Sequence, residues 1–572
     1  MTRTKGGEVA SRPVLAPTNQ GLEAKESFSR CDSRGITDLS LVSKALLSWW
    51  GSFASTGRVM NVGHWIRKWS LIQPNKKAIF CEDQPITYQE FNQRANQLCH
   101  LLLETGIQKG DRIAVLLHNC PQYLEIFFAF SKIGAILVPL NWRLAAPELE
   151  FIIKDSGSRL LIFEPEFEDV VRSIRSRLQF SDLNTLTVGL PCPGWSLEYE
   201  RAISKKPTHE PSVNESVGGE DPHLLMYTSG TTGVPKGAVL SQRKTFFNVL
   251  NADLVYHLTP RDIMIASRPM FHSGGLLVES APILYKGGTL ILKKRFRPQE
   301  ILETIEKYRV TILELAPTVY QNILRDCDLD QYDLRSLRCL FTGGERISMA
   351  MLKEYHRRGM NISQIFGQTE ASTVTYLPSE EAARKIGSVG LPVFHGDVRI
   401  VDKEGKDVTT GEVGEIIVHG PTLMSGYWKQ PDLTAEVIQK GWLHTGDLAR
   451  MDEEGYFYIV DREKDMYISG GENVYPAEVE KLFSTHPKVL DAGVVGVPDE
   501  KWGEVGKAYL VLKAGETMTE EEVLSFLQGK IGKYKIPRYV EFVKELPKTA
   551  SGKIQKFLLK EKHHTKIRST EF

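Results

Sequence analysis

The sequence predicts an α/β fold in which a large N-terminal domain of parallel-rich sheets flanked by helices precedes a small α+β domain. Three observations carry that expectation. The 572-residue chain is too long for one ordinary hydrophobic core, so two or more domains are expected. Short apolar runs alternate with helix-period segments over 87–140 and again over 271–340, and strand–helix–strand succession gives parallel sheets covered by helices. At Asp461 the character changes, with a charged run, Asp461-Arg462-Glu463-Lys464-Asp465, ahead of a glycine pair and a shorter mixed pattern.

Residues 1–59 mix Ser, Gly, Pro and charges without sustained periodicity, apart from an apolar patch over 41–50. They lack a secretory pattern, and Glu8, Glu23, Glu26, Asp32 and Asp38 are foreign to an acid-poor transit peptide. This extension is expected to be disordered, or to precede a true start at Met60. Thr87-Tyr88-Gln89-Glu90 is a capping box; Phe91, Ala95, Leu98 and Leu102 follow on one helical face before Gly106 stops the helix. A strand over 112–117, a helix over 121–133 and a strand over 135–140 come next. Pro298 opens a helix with Ile301, Leu302, Ile305 and Tyr308 on one face. Past a β-prone stretch at 456–460, the C-terminal part reads as a helix over 476–483, strands over 489–497 and 507–512, and a helix over 519–531.

Lysine plus arginine total 71 and so do aspartate plus glutamate, so no global charge draws the chain to nucleic acid or an anionic membrane. Seven cysteines, odd in number and never in Cys-x-x-Cys spacing, suit a reducing compartment and argue against structural zinc. The most apolar stretch, 123–140, is interrupted by Glu125 and Lys132 and makes a poor transmembrane candidate. A cytoplasmic protein of enzyme size is expected. Peripheral membrane contact and oligomeric state stay open.

The chemistry is concentrated at Met226-Tyr227-Thr228-Ser229-Gly230-Thr231-Thr232-Gly233-Val234-Pro235-Lys236-Gly237. Its glycines let backbone approach a ligand closely. Thr228, Ser229, Thr231 and Thr232 supply hydroxyls, and Lys236 a mobile point charge. A polyphosphate is the natural guest. Gly237 follows the lysine where a Walker A loop has Ser or Thr, so this is a different phosphate loop.

This segment resembles the signature of the AMP-forming acyl-activating superfamily, which includes acyl-CoA synthetases, peptide-synthetase adenylation domains and luciferases. Further motifs follow in family order from about Met60 to Lys560. The resemblance implies that a carboxylate attacks the α-phosphate of ATP in line, with Mg²⁺ present and pyrophosphate leaving, and that CoA then takes the acyl group. It assigns Thr228, Ser229, Gly230, Thr231, Thr232, Gly233 and Lys236 to the β- and γ-phosphates. Phe341-Thr342-Gly343-Gly344-Glu345 would border the adenine and the acyl pocket. In Phe366-Gly367-Gln368-Thr369-Glu370, where relatives usually begin with Tyr, Phe366 would face the adenine and Glu370 would bind Mg²⁺. Asp447, in His444-Thr445-Gly446-Asp447, would grip the ribose hydroxyls, with Arg462 as a second nucleotide contact. Lys553, after Ser551-Gly552, would bridge the substrate carboxylate and the α-phosphate.

The resemblance also places Lys464 at the hinge of a mobile small domain. That gives an extension at 1–59, an AMP- and acyl-binding domain at 60–460, a hinge at 461–465 and a C-terminal α+β domain at 466–572. After rotation, Gly470, Gly471 and Glu472 would line a tunnel for the pantetheine thiol. Pro269-Met270-Phe271-His272-Ser273-Gly274-Gly275 lacks the acid that amino-acid-activating relatives use, and His272 instead resembles the residue that gates the acyl pocket in acyl- and aryl-CoA synthetases. Gly274, Gly275, Gly343 and Gly344 leave volume for an acyl chain, so a medium- or long-chain fatty acid is expected. An aryl acid is the alternative, and a non-catalytic nucleotide- or acyl-binding relative a third reading.

Overall fold

A computed structural model describes residues 60–177, 184–228, 235–344, 347–469, 472–499, 502–528, 530–549 and 552–562. The expectations for residues 1–59, Ser229, Gly230, Thr231, Thr232, Gly233, Glu345, Gly470, Gly471 and the Glu472 side chain lie outside them. Among the described residues the strands form four sheets. One is parallel from Pro222–Thr228 through Ile136–Pro139, Arg112–Leu116, Leu160–Phe163 and Asn184–Thr187 to Leu197–Glu198. Lys236–Ser241 and Gly426–Tyr427 extend it antiparallel. A second has the parallel centre Ile362–Gln368, Cys339–Gly343, Ile312–Glu314, Ile263–Ala266, Thr289–Leu292 and Lys77–Cys81, with antiparallel edges. A third, antiparallel sheet contains Gly414–His419, Trp442–Met451 and Phe457–Arg462.

The capping box forms as expected: Thr87 Oγ1 accepts from the Glu90 backbone N–H at 3.1 Å and Glu90 Oε2 from that of Thr87 at 2.8 Å. It starts the helix Tyr88–Glu104. Helix Pro121–Ile133 is buried along its length and belongs inside a core. Its two interrupting charges are matched from neighbouring segments. Arg94 Nε pairs with Glu125 Oε1 at 2.6 Å, and the Tyr199 hydroxyl donates to Oε2 at 2.7 Å. Lys132 Nζ donates to Asn92 and Asn96, both at 2.6 Å, and pairs with Glu210 at 2.9 Å. No described helix is long and apolar enough to cross a membrane.

The C-terminal sheet is built on the hairpin Val489–Asp499 and Gly503–Leu512, flanked by Tyr467–Ser469 and by the parallel strand Tyr539–Phe542. Both hairpin strands exceed the lengths expected. Gly496 and Gly506, which dilute the strand pattern, make room for the Tyr467 ring. Helix Glu520–Leu527 is shorter than expected: Gln528 turns extended (φ −59°, ψ 133°) just before Gly529, which sequence periodicity alone had let the helix cross. Strand Phe457–Arg462 runs past Val460 into the charged segment, and a single 3₁₀ turn, Glu463–Asp465, follows.

Replacing Arg94 with Met leaves the Glu125 carboxylate buried without its cation and should cost about 3 kcal/mol of stability. The loss, followed by chemical denaturation, should be larger at about pH 8 than at about pH 5, where protonation relieves the unpaired charge.

Candidate active site

Thr228 ends one strand, Lys236 begins the next, and the two are register partners in an antiparallel pair. The phosphate-type loop is therefore the connection of a β-hairpin, unlike the strand-to-helix turn of a P-loop. Thr228 Oγ1 lies 3.4 Å from Glu370 Oε1, and the Tyr427 hydroxyl donates to the same oxygen at 3.0 Å. The Lys236 ammonium sits 5.7 Å from the centre of the Tyr427 ring. Tyr427 thus ties the loop's exit to the carboxylate beyond Ile362–Gln368. The donors gathered there, a hydroxyl and a carboxylate, are the hard oxygens that Mg²⁺ prefers.

Glu370 is placed by a bulge. The strand pairing shifts register between Phe366 and Gly367, where any Cβ would collide with the Ser372 carbonyl oxygen. Ser372 itself adopts φ +63°. Behind the turn, the fully buried Lys244 donates to Ser372 Oγ at 2.7 Å and to the Thr422 carbonyl at 2.5 Å, and burial pushes its ammonium down to about 7. Thr369 and Ser273 hydroxyls are 3.4 Å apart, so this motif touches the His272 segment directly. Phe366 packs against the main core, and Gln368 Nε2 donates to the Thr445 carbonyl at 3.4 Å, reaching the Asp447 motif.

Asp447 is nearly buried, 6% exposed, and forms an ion pair with Arg462, Nε to Oδ1 3.2 Å, across the strand pair Trp442–Met451 and Phe457–Arg462. Burial raises its carboxyl, while Arg462, Lys553 and Lys464 oppose the rise. Burial is the largest influence on this carboxylate, and a vicinal diol would offer it two hydrogen-bond donors. Glu415 holds the turn: its two oxygens take the Gly446 N–H at 2.8 Å and His444 Nδ1 at 2.7 Å. Burial and the charges of Arg462 and Lys236 press Lys464 below its usual value.

Lys553 follows a tight turn in which Gly552 has φ +93° and Thr549 Oγ1 accepts the Lys553 N–H at 3.1 Å. Its positive charge is felt by both Asp447 and His272. The sequence-distant lysine thus brings its charge to the Asp447 and His272 segments together. His272 accepts the Gly274 N–H at Nδ1, 3.2 Å away. Burial, with the charges of Arg268 and Lys553, lowers its imidazole to about 4, so it is neutral at pH 7.

The volume expected at the glycines is taken. A Cβ on Gly274 would lie 3.1 Å from Arg268 Cδ, and one on Gly344 3.2 Å from Arg268 Nη1. Gly275 faces the Arg268 and Pro269 carbonyls, and Gly343 faces Ile365. Arg268 Nη2 pairs with Glu314 at 2.5 Å and donates to the Gly343 carbonyl at 2.8 Å. These glycines accommodate an arginine and main chain, which corrects the inference of room for an acyl chain. Sequence reading missed Arg268, Lys244, Glu415 and Tyr427. Each acts through a distant partner and sits in no motif; an arginine just ahead of Pro269-Met270-Phe271-His272 was the one visible signal.

Residues 66–428 match the family described as AMP-binding enzyme, and residues 478–553 match its C-terminal domain. A feruloyl-CoA synthase from an Amycolatopsis species is 41% identical over 501 residues, covering 87% of this chain and 98% of that protein. An indoleacetate–CoA ligase from Aromatoleum aromaticum is 36% identical, covering 87% and 97%. The ATP-bound structure of MatB from Rhodopseudomonas palustris superposes with a TM-score of 0.81 at 30% identity, over 88% of this chain and 99% of the other. The chain belongs to the AMP-binding enzymes. It is an AMP-forming acid–thiol ligase.

If Asp447 grips the ribose, Asp447→Ala should weaken ATP binding by about 1.5–3 kcal/mol, roughly 10- to 150-fold. Titration calorimetry with ATP checks this, and unchanged affinity removes Asp447 from the nucleotide site.

Proposed function

We propose that this ligase activates an aryl or aryl-substituted short-chain acid to its acyl-AMP and passes the acyl group to CoA. The observation that carries the choice of acid is Arg268, which takes the space beside Gly274 and Gly344 that a long acyl chain would need. A compact planar acid suits such a site better than a long flexible chain. The feruloyl and indoleacetate ligases among its relatives support the same reading, and the fatty-acid expectation is set aside with the volume it relied on.

In the first half-reaction a carboxylate oxygen attacks the α-phosphorus, and the bond to the bridging oxygen breaks, releasing pyrophosphate. Thr228, Lys236 and the intervening loop hold the departing phosphates. Asp447 and Arg462 fix the ribose, and Phe366 with Gly343 and Gly344 borders the base. Lys553 screens the repulsion between the attacking carboxylate and the α-phosphate, a positioning and electrostatic role. Glu370, beside the Thr228 hydroxyl, would hold Mg²⁺, which would neutralise triphosphate charge. In the second half-reaction the CoA thiolate attacks the acyl carbonyl and AMP leaves. Rotation about Lys464 would withdraw Lys553 and bring the 470–472 segment to the thiol path.

Lys553→Ala should lower the rate of adenylate formation about 10²- to 10³-fold. Thioester formation from supplied acyl-AMP should stay near wild type; equal losses in the two assays would contradict the role. For the acid, a pyrophosphate-release screen should compare straight-chain acids from acetate to stearate with benzoates, phenylacetates, cinnamates and indoleacetate. The highest kcat/KM is expected among the aryl acids, and a maximum at a long straight-chain acid would reject the assignment.

A further inference from the structure

A second group of ionisable side chains lies at the carboxyl ends of two parallel strands. His118 follows Arg112–Leu116, Glu164 follows Leu160–Phe163, and Glu166 lies in the 3₁₀ turn Pro165–Phe167 that comes next. In this sheet Arg112–Leu116 is flanked by Ile136–Pro139 on one side and Leu160–Phe163 on the other. The chain therefore reverses its direction of winding there, and ligands of open α/β sheets bind at such switch points.

The geometry around His118 is that of a prepared ligand. The ring is 1% exposed, held between Trp142 at 4.6 Å and Phe167 at 5.1 Å, the latter stacked at 20°. Nδ1 lies 2.5 Å from Glu164 Oε2, which also accepts the His118 backbone N–H at 3.2 Å. A proton on Nδ1 satisfies that contact and leaves the lone pair on Nε2. Nε2 is buried, has no hydrogen-bond partner and lies 3.8 Å from Glu166 Oε1. A buried nitrogen left unpaired calls for an explanation. Donor atoms of all three residues fall within 4.8 Å of one another. The carboxylates already collect a cation: the Lys294 ammonium pairs with Glu166 and lies 3.9 Å from Glu164. Lys294 is 45% exposed and can swing into water.

We propose that His118 Nε2 and Glu166 bind a divalent transition-metal ion of the zinc or cobalt class, with Glu164 orienting the imidazole and Lys294 standing in for the ion when it is absent. A nitrogen and a carboxylate without thiolate suit such borderline ions. The Glu164–His118 contact is the carboxylate–histidine–metal arrangement, which fixes the tautomer and strengthens the ligand. Trp142 meets Phe271 edge-on at 6.1 Å, so an ion here would lie behind the residue preceding His272.

The test is a Co²⁺ titration of tag-free, nucleotide-free and Mg²⁺-free protein, read by visible absorption and equilibrium dialysis. The wild type should show one saturable site that Glu166→Gln weakens about tenfold or more. Lys294→Met, which removes the competing ammonium, should tighten it severalfold. His118→Phe should abolish it, but that position is buried and the substitution puts folding at risk, so the two exposed substitutions decide. Isotherms unchanged by both Glu166→Gln and Lys294→Met, or no saturable Co²⁺ in the wild type and Lys294→Met alike, would overturn the proposal.

Discussion

The candidate site is organised around one carboxylate held where water hardly reaches it. Asp447 lies among Arg462, Lys464 and Lys553, and no one of these cations cancels the cost of its burial. Arg462 comes from the neighbouring strand, Lys464 from the turn after it, and Lys553 from a loop nearly ninety residues further on. Their convergence links the antiparallel sheet to the C-terminal lobe through charge. Such a linkage is sensitive to what else enters the site: a polyanion draws the same cations, and its departure returns them to the carboxylate.

The sheets supply the fixed side of this arrangement. The Thr228/Lys236 hairpin, the bulge at Gly367 and the Glu415-held turn at Gly446 come from three different sheets. Side-chain contacts join them: Tyr427 and Thr228 meet at Glu370, Gln368 reaches the Thr445 carbonyl, and Thr369 reaches Ser273. Each motif is a short irregularity at the end of regular structure, where backbone groups and conformations excluded from strands become available. Lys244 shows the cost of holding one such irregularity, since an ammonium is buried there to support a turn that includes a non-glycine residue at positive φ.

Local signals were the legible ones. The Thr87–Glu90 cap, the proline-initiated helices at Pro121, Pro298 and Pro476, and the strand at 112–116 all follow from short-range pattern. The motif residues could be named because they stand in the order and local context of a known family's motifs, which the resemblance supplied. What stayed hidden depends on contacts across long separations. Arg268 stands only six residues before Gly274, but no local pattern says that it will lie against both it and Gly344, so absence of a side chain was mistaken for absence of matter. Likewise Gly496 and Gly506 look like strand breakers until the Tyr467 ring is seen to cover them.

Asp461 deserves a last consideration, because it sits just before the proposed pivot. Its Oδ2 accepts the backbone N–H of Ala477 at 2.8 Å, in the first turn of helix Pro476–Phe483, while its Oδ1 takes that of Arg462. A lobe turning about Lys464 must tear this carboxylate from the helix it caps. If the joint turns as proposed, this contact would act as a catch: the small lobe would leave its rest position only once the Asp461–Ala477 hydrogen bond gave way.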